Sequence, residues 1–393
     1  MTAATAALVV LVIVLALIFD FTNGFHDTAN AMATPIATGA MRPRVAVAVA
    51  AVLNLIGAFL STTVAQTISG GLIKEGGGGV QVGPEIVFAG LIGAITWNIT
   101  TWYFGLPSSS SHALFGGLVG AAIVGAGFGS IDYGVLLGKV IIPAVLAPFT
   151  ACVVAFLATR LAYSITRRQD GRRDGRGVFR VGQVFSSSLV ALAHGTNDAQ
   201  KTMGVITLTL IAAGLQPAGT PPHIWVIAAC AAAIAIGTYT GGWRIIKTLG
   251  TGLTSVKPAQ GFAAEVSTAS TILASSHLGF ALSTTHVASG SVIGSGLGRR
   301  GSTVRWATAR RIVTGWVFTL PAAAIVGALA QLLVGLGTAG IVIDTVLGIG
   351  FMVAVFLRAR PERIDASSLE REVAGAGAAV HRPKKRDRRG ANA

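Results

Sequence analysis

Long apolar stretches with scarcely a charge in them limit what this chain can become. Residues 1–19 contain no Asp, Glu, Lys or Arg, and runs of similar character recur as far as residue 357. Charged residues make up 11% of the chain, whereas soluble globular domains carry about 25%. With a mean hydropathy of +0.69, the chain needs lipid as its solvent. Many of its 51 glycines fall inside the apolar runs. Gly weakens a soluble helix, but packed membrane helices use it for close backbone approach. The first stretch has no basic n-region and no small-residue cleavage pattern before Asp20 and a break at Thr22-Asn23-Gly24. It therefore reads as a membrane helix and not as a signal peptide. Cys152 and Cys230 sit in separate apolar stretches without metal-ligand or redox spacing, and read as inert packing residues.

The net charge of +15 is concentrated at the borders of these runs. Residues 167–180 hold six Arg and two Asp, residues 299–311 hold five Arg, Arg42 and Arg44 form a third patch, and residues 358–393 hold ten basic and five acidic groups. Basic loops flanking apolar spans follow the positive-inside rule, which assigns all four patches to the cytoplasm of a protein in the inner (plasma) membrane. The basic tail then solvates or lies on anionic lipid, and nucleic acid is not expected as a partner.

The chain repeats itself. Residues 84–120 align without a gap on residues 258–294, and eight of the 37 positions are identical: Pro84/Pro258, Phe88/Phe262, Ala89/Ala263, Gly105/Gly279, Ser109/Ser283, His112/His286, Gly116/Gly290 and Gly120/Gly294. Earlier in each half, Gly24-Phe25-His26-Asp27 matches Gly195-Thr196-Asn197-Asp198. Equivalent loops carry opposite charge. Residues 299–311 are basic where 125–133 are not, and Arg42 and Arg44 have no counterpart in 215–223. The two repeats are therefore inverted across the membrane. The expected fold is an all-α polytopic membrane protein with about 10–12 membrane segments. Its divisions are a first repeat at 1–164, a basic cytoplasmic linker at 165–182, a second repeat with a final span at 183–357, and a disordered cytoplasmic tail at 358–393. Segments 7–40 and 183–211 are expected to be broken, 45–66 and 223–243 to be single spans, and the pairs 84–106/109–125 and 258–281/283–298 to be re-entrant or broken.

Ionisable groups inside lipid-spanning segments are costly and mark functional sites. Here they are Asp20, Asp27, Asp198, Lys201, Glu265 and, near a span end, Asp344. Asp27 and Asp198 occupy equivalent positions, as do Asn30 and Lys201, so inverted symmetry would gather them near the midplane. A structural role in holding helices together is the plainer alternative. Ser108-Ser109-Ser110-Ser111-His112 and Ser283-Thr284-Thr285-His286 form a second matched pair. A hydroxyl run at a helix start offers side-chain donors and free backbone N–H groups, which suits a tetrahedral oxyanion such as phosphate. Ordinary capping of membrane helices is the alternative here. No nucleophile elbow, zinc-spaced His/Cys cluster or phosphate-loop Lys is present, so an enzyme is not expected, and neither is a cofactor or a resident metal.

In these motifs the chain resembles the Pit family of inorganic phosphate transporters. The resemblance rests on Gly24-Phe25-His26-Asp27-Thr28-Ala29-Asn30-Ala31, Gly195-Thr196-Asn197-Asp198-Ala199-Gln200-Lys201, residues 107–112, Gly261-Phe262-Ala263-Ala264-Glu265 and Ser283-Thr284-Thr285-His286, and spans the chain to about residue 357. It implies phosphate uptake by cation symport and a homodimer in the bilayer. It also implies that Asp27, Asn30, Asp198, Lys201, Ser109, Ser110, Ser111, Ser283, Thr284 and Thr285 lie at the phosphate and ion site. Sodium-coupled members have Asn where this chain has His26, and His titrates near neutrality. The chain thus looks like the bacterial low-affinity, proton-coupled branch, some members of which carry phosphate complexed with a divalent metal. H⁺ is the favoured coupling ion, with His26, Asp27, Asp198, Asn197 and Glu265 as coupling candidates. Na⁺ coupling and a permease for another oxyanion such as sulfate are the alternatives.

Overall fold

A computed structural model describes residues 2–71, 83–166, 175–360 and 364–371. The apolar runs become helices throughout, and among the described residues there is no β-strand, only an isolated bridge between Thr254 and Val304. The first half consists of α1 (Ala3–Ala37), α2 (Pro43–Gly57), α3 (Thr63–Gly71), α4 (Pro84–Tyr103), α5 (Ser110–Ala126) and α6 (Tyr133–Ile165). The second half repeats this order as α7 (Gly175–Ala212), α8 (Ile224–Thr240), α9 (Trp243–Gly252), α10 (Pro258–His277), α11 (Thr284–Gly298) and α12 (Trp306–Val334), and α13 (Thr338–Ala359) follows. Helices α1, α4, α6, α12 and α13 are each long and apolar enough to cross a membrane, and α8 with α9 forms one further candidate span bent by 60°.

The equivalent helices α1 and α7 run antiparallel. Asp20 of α1 lies beside Thr202 of α7, Asp27 lies 3.8 Å from His194, and Thr38, just past the end of α1, donates to Gln183 at 2.7 Å. Sequence numbers rise along one helix as they fall along the other, so the repeats are inverted as the loop charges require.

The breaks fall elsewhere than the sequence indicates. Helix α1 passes through Thr22-Asn23-Gly24 without interruption, and α7 is continuous over its length. Two hydroxyls of α1 bond back within the helix: Thr22 and Thr28 donate to the carbonyls of Phe19 and Gly24 at 2.8 and 2.7 Å. The chain breaks instead after Gly57, within the expected span 45–66, and at Gly241, whose φ of 72° ends α8. Helix α6 ends and α7 starts inside the stretch read as a linker, at Ile165 and Gly175, and residues 167–174 between them lie outside the described residues. In the tail, residues 366–371 are helical and Leu369 is buried in the core, so this portion is ordered against the body of the protein; 372–393 lie outside the described residues.

Two helical hairpins, α4–α5 and α10–α11, are the elements that position the site. Each turns at one of the matched glycines, Gly105 (φ 61°) or Gly279 (φ 69°). The turn closes with a Schellman pair: Leu106 and Phe280 donate to Thr101 and Ser275 at 2.9 and 3.0 Å. The hairpins meet at their tips, where the rings of His112 and His286 lie 4.8 Å apart. Each hairpin is held by the last helix of the opposite repeat, α5 by α12 and α11 by α6. The matched glycines explain why. A Cβ at Gly116 or Gly120 would meet the carbonyls of Leu320 or Ala324 at 2.3 or 1.9 Å, and at Gly290 or Gly294 those of Pro148 or Cys152 at 2.4 or 2.0 Å. Their four-residue spacing lets the helix backbones touch along a groove, as packed membrane helices do.

Gly120→Ala and Gly294→Ala should each force these helices apart and lower stability by about 1–3 kcal/mol, read as a drop in the unfolding midpoint of the detergent-solubilised protein. Gly129→Ala, where a Cβ meets nothing within 4 Å, should leave the midpoint unchanged.

Candidate functional site

The hairpin tips bring hydroxyls against the middle of α1 and α7, where the intramembrane charges lie. Asp27 and Asp198 are 2% and 1% exposed, and they share one donor region. The Thr284 hydroxyl lies 3.2 Å from Asp27 Oδ2 and 2.9 Å from Asp198 Oδ2. Thr285 lies 3.3 Å from Asp27 Oδ1. Lys201 donates to Asp198 one turn away on its own helix, and also to Ser111 at 2.6 Å and to the Leu282 carbonyl at 3.0 Å. Asn30 donates toward Thr284 and Thr285 at 3.3 and 3.1 Å.

This wiring is reciprocal. Asn30 and Lys201 are equivalent positions, and so are Thr285 and Ser111. Each reaches the hydroxyl of the other repeat's hairpin. The first turns of α5 and α11 therefore both abut the cluster, presenting helix N-termini whose backbone N–H groups and dipoles favour anions. Ser110, also at the tip, is buried with a hydroxyl that has no partner.

The remaining expected residues divide. His26 belongs to the cluster: its Nδ1 is 2.7 Å from Asp27 Oδ1, and its Nε2 faces Ser108 at 3.3 Å and Thr101 at 3.5 Å. Ser109 and Ser283 act as N-caps, accepting from the backbone of His112 and His286 at 3.1 and 3.3 Å, so the capping alternative describes their hydroxyls. Asn197 donates to Ser276 at 2.8 Å and makes no hydrogen bond to either carboxylate. Glu265 forms a separate buried node, accepting from Thr34 at 2.6 Å, Gln183 at 3.0 Å and Ser186 at 2.5 Å.

One central residue escaped the sequence reading. His194 Nε2 lies 2.9 Å from Asp198 Oδ2 and 3.8 Å from Asp27 Oδ2, between the two carboxylates that Thr284 also approaches. Its Nδ1 is 3.2 Å from Asn54 Oδ1, and Asn54 donates in turn to Thr238 at 2.7 Å. The signal was present: His194 precedes Asp198 by four residues, one helical turn on the same face. Its repeat counterpart is Asn23, so it forms no matched titratable pair of the kind that marks Asp27 and Asp198. Ligand atoms of Asp27, His194 and Asp198 lie within 4.8 Å of one another, a spacing that can hold a cation. The carboxylates, imidazoles and ammonium group of the cluster are all buried. A cleft of 290 Å³ lined by Phe21, Phe25, Asn98 and Trp102 reaches His26.

The sequence profile of the phosphate transporter family matches residues 23–176 and 166–327 of this chain. A Mycobacterium bovis protein named as a probable low-affinity inorganic phosphate transporter is 53% identical over 371 residues, covering 94% of this chain and 88% of that one. A Bacillus subtilis protein of the same name is 41% identical, covering 84% and 98%. Among solved structures, a sodium-dependent phosphate transporter matches with a TM-score of 0.74 at 23% identity, covering 84% of this chain and all of that one.

Removing one member of a buried ion pair leaves the other uncompensated, at a cost of about 3–5 kcal/mol. Lys201→Met should therefore destabilise the solubilised protein by that amount, and adding Asp198→Asn should restore much of the loss. A double variant no more stable than Lys201→Met would remove the pair from the account.

Proposed function

The chain belongs to the phosphate transporter family, and we propose that it imports inorganic phosphate by symport with H⁺, using the cluster between α1, α7 and the two hairpin tips. It is a multi-pass membrane protein and a transporter, not an enzyme. The observation that carries the coupling is the charge of the cluster. Among the described residues Lys201 is the one ammonium group set against the buried Asp27 and Asp198, and the imidazoles of His26 and His194 beside them add positive charge only when protonated. Two helix N-termini add roughly half a positive charge each, which brings the site near neutrality and leaves nothing to offset a phosphate dianion. The anion can occupy it only if cations that offset its charge enter the protein with it. The membrane field acts in the same direction, since carrying a dianion against 100 mV costs about twice 2.3 kcal/mol.

Ser110, Ser111, Thr284, Thr285, Asn30 and Lys201 supply the donors that hold phosphate. Asp27, Asp198, His26 and His194 supply positions for its accompanying cations. H⁺ is favoured because His26 Nδ1 lies 2.7 Å from Asp27 Oδ1, which sets an imidazole, a group able to carry a proton, directly against the carboxylate. A second reading has its own support: the Asp27–His194–Asp198 spacing would seat Na⁺, or a divalent metal carried together with phosphate. In either case the protein would reside in the inner (plasma) membrane as a homodimer, with residues 165–182 and the tail in the cytoplasm.

Reconstituted protein should accumulate labelled phosphate under an inward proton gradient. Arsenate should compete and sulfate should not; competition by sulfate would reassign the substrate. Asp27→Asn and Asp198→Asn should each abolish uptake while leaving folded protein in the membrane. His26→Asn with unchanged proton dependence would remove His26 as a coupling group.

A further inference from the structure

We propose that Asp20 is the carboxyl that carries the coupled proton, at a site separate from the anion cluster. Asp20 lies on the same stripe of α1 as Asn23, Asp27, Asn30 and Thr34, two helical turns or about 10 Å from Asp27. It is 0% exposed. Both of its carboxyl oxygens are buried without a hydrogen-bond partner, which holds for no other carboxyl among the described residues. The contrast with its neighbours is chemical. Glu265 accepts three donors, and Asp27 and Asp198 are each surrounded by hydroxyl, imidazole or ammonium groups. A buried carboxylate without donors is strongly disfavoured and takes up a proton instead. On that geometry Asp20 is the carboxyl assigned to hold the proton in this conformation.

What surrounds it equips it to ionise in another conformation. The Thr202 hydroxyl stands beside the carboxyl, within its electrostatic reach but short of a well-formed hydrogen bond, and one turn along α1 both polar atoms of the Asn23 amide are buried and unpartnered. The titratable groups that face Asp20 are His194 and Lys201 from α7 and Cys230 from α8. A slide of α1 against α7 that brought the Thr202, Asn23 or Lys201 donors into hydrogen-bonding range would stabilise the carboxylate. The O–H bond then breaks, the proton passes to water, and the electron pair stays on Asp20. The repeat equivalents of Asp20 and Thr202 are Ala191 and Ala31. The inverted fold thus needs no acid at this position, and the pair is an addition specific to one half. With α1 oriented as the loop charges require, Asp20 lies on the outer side of the phosphate cluster, where an importer would load its proton first.

The inference rests on the symport reading, and three measurements on proteoliposomes separate the two. Wild-type protein should exchange phosphate for phosphate at equal pH, accumulate it under an inward proton gradient, and admit protons when phosphate is added, as reported by an enclosed pH-sensitive dye. Asp20→Asn imitates the protonated acid. It should keep the exchange, lose accumulation above equilibration and lose phosphate-dependent proton entry. Persistence of proton entry in Asp20→Asn would overturn the proposal, and so would loss of exchange in a folded variant. If Asp20→Asn fails to assemble, Asp20→Glu decides: its uphill uptake should keep proton coupling with a shifted pH profile, and an unshifted profile overturns the assignment. Wild-type phosphate accumulation under a sodium gradient without proton entry would end the proton assignment while leaving phosphate transport intact. Wild-type failure to move phosphate at all would defeat the functional reading itself.

Discussion

Two carboxylates buried side by side at the depth of a membrane are the constraint around which the rest of this molecule is arranged. Asp27 and Asp198 repel one another, and neither reaches water. They are tolerable because donors arrive from several directions: Thr284 and Thr285 from one hairpin tip, Lys201 from within α7, and His26 and His194 from the two long helices. An ionisable group in lipid persists only with such company. If the hairpin tips withdrew, the carboxylates would lose their hydroxyl partners. The charge at the centre and the position of the hairpins are thus coupled, which is what a transporter needs if ion and anion occupancy are to govern which side is open.

The duplication supplies the means. Because α1 and α7 run in opposite directions, residues at equivalent positions face each other across a pseudo-twofold, and each half's hairpin is clasped by the other half's last helix. The matched glycines are the physical basis of that clasp, since any side chain there would meet a backbone carbonyl. The symmetry is incomplete where the chemistry differs. Asn30 opposes Lys201, His26 opposes Asn197, Asn23 opposes His194, and Asp20 opposes Ala191. One half thereby supplies the extra acid and the other the ammonium group and the second imidazole of the cluster.

Much of this was legible beforehand because the signals are local or periodic. Scarcity of charge required lipid, the constant spacing between Ser109-containing and Ser283-containing segments revealed the repeat, and the uneven Arg content of equivalent loops gave the inversion. The few intramembrane charges singled out Asp27, Asp198 and Lys201. Broken helices were a different matter. Thr22, Asn23 and Gly24 look like a break when read as propensities, but Thr22 and Thr28 bond back to their own helix and α1 continues. Glu265 looked like part of the same constellation, yet it has its own donors in Thr34, Gln183 and Ser186.

By itself the sequence determined the solvent, the helical class, the doubled and inverted plan, and which residue types had to meet. Each of these follows from hydrophobicity, spacing or charge along the chain, quantities that exist before folding. Tertiary structure alone decided which groups touch: that His194 bridges the carboxylates, that Ser109 and Ser283 cap their helices, that Asn197 and Glu265 stand aside, and that Asp20 is left without a donor. Those outcomes depend on side-chain direction and on contacts between helices far apart in sequence. Along the chain, a buried acid with three partners and one with none look the same.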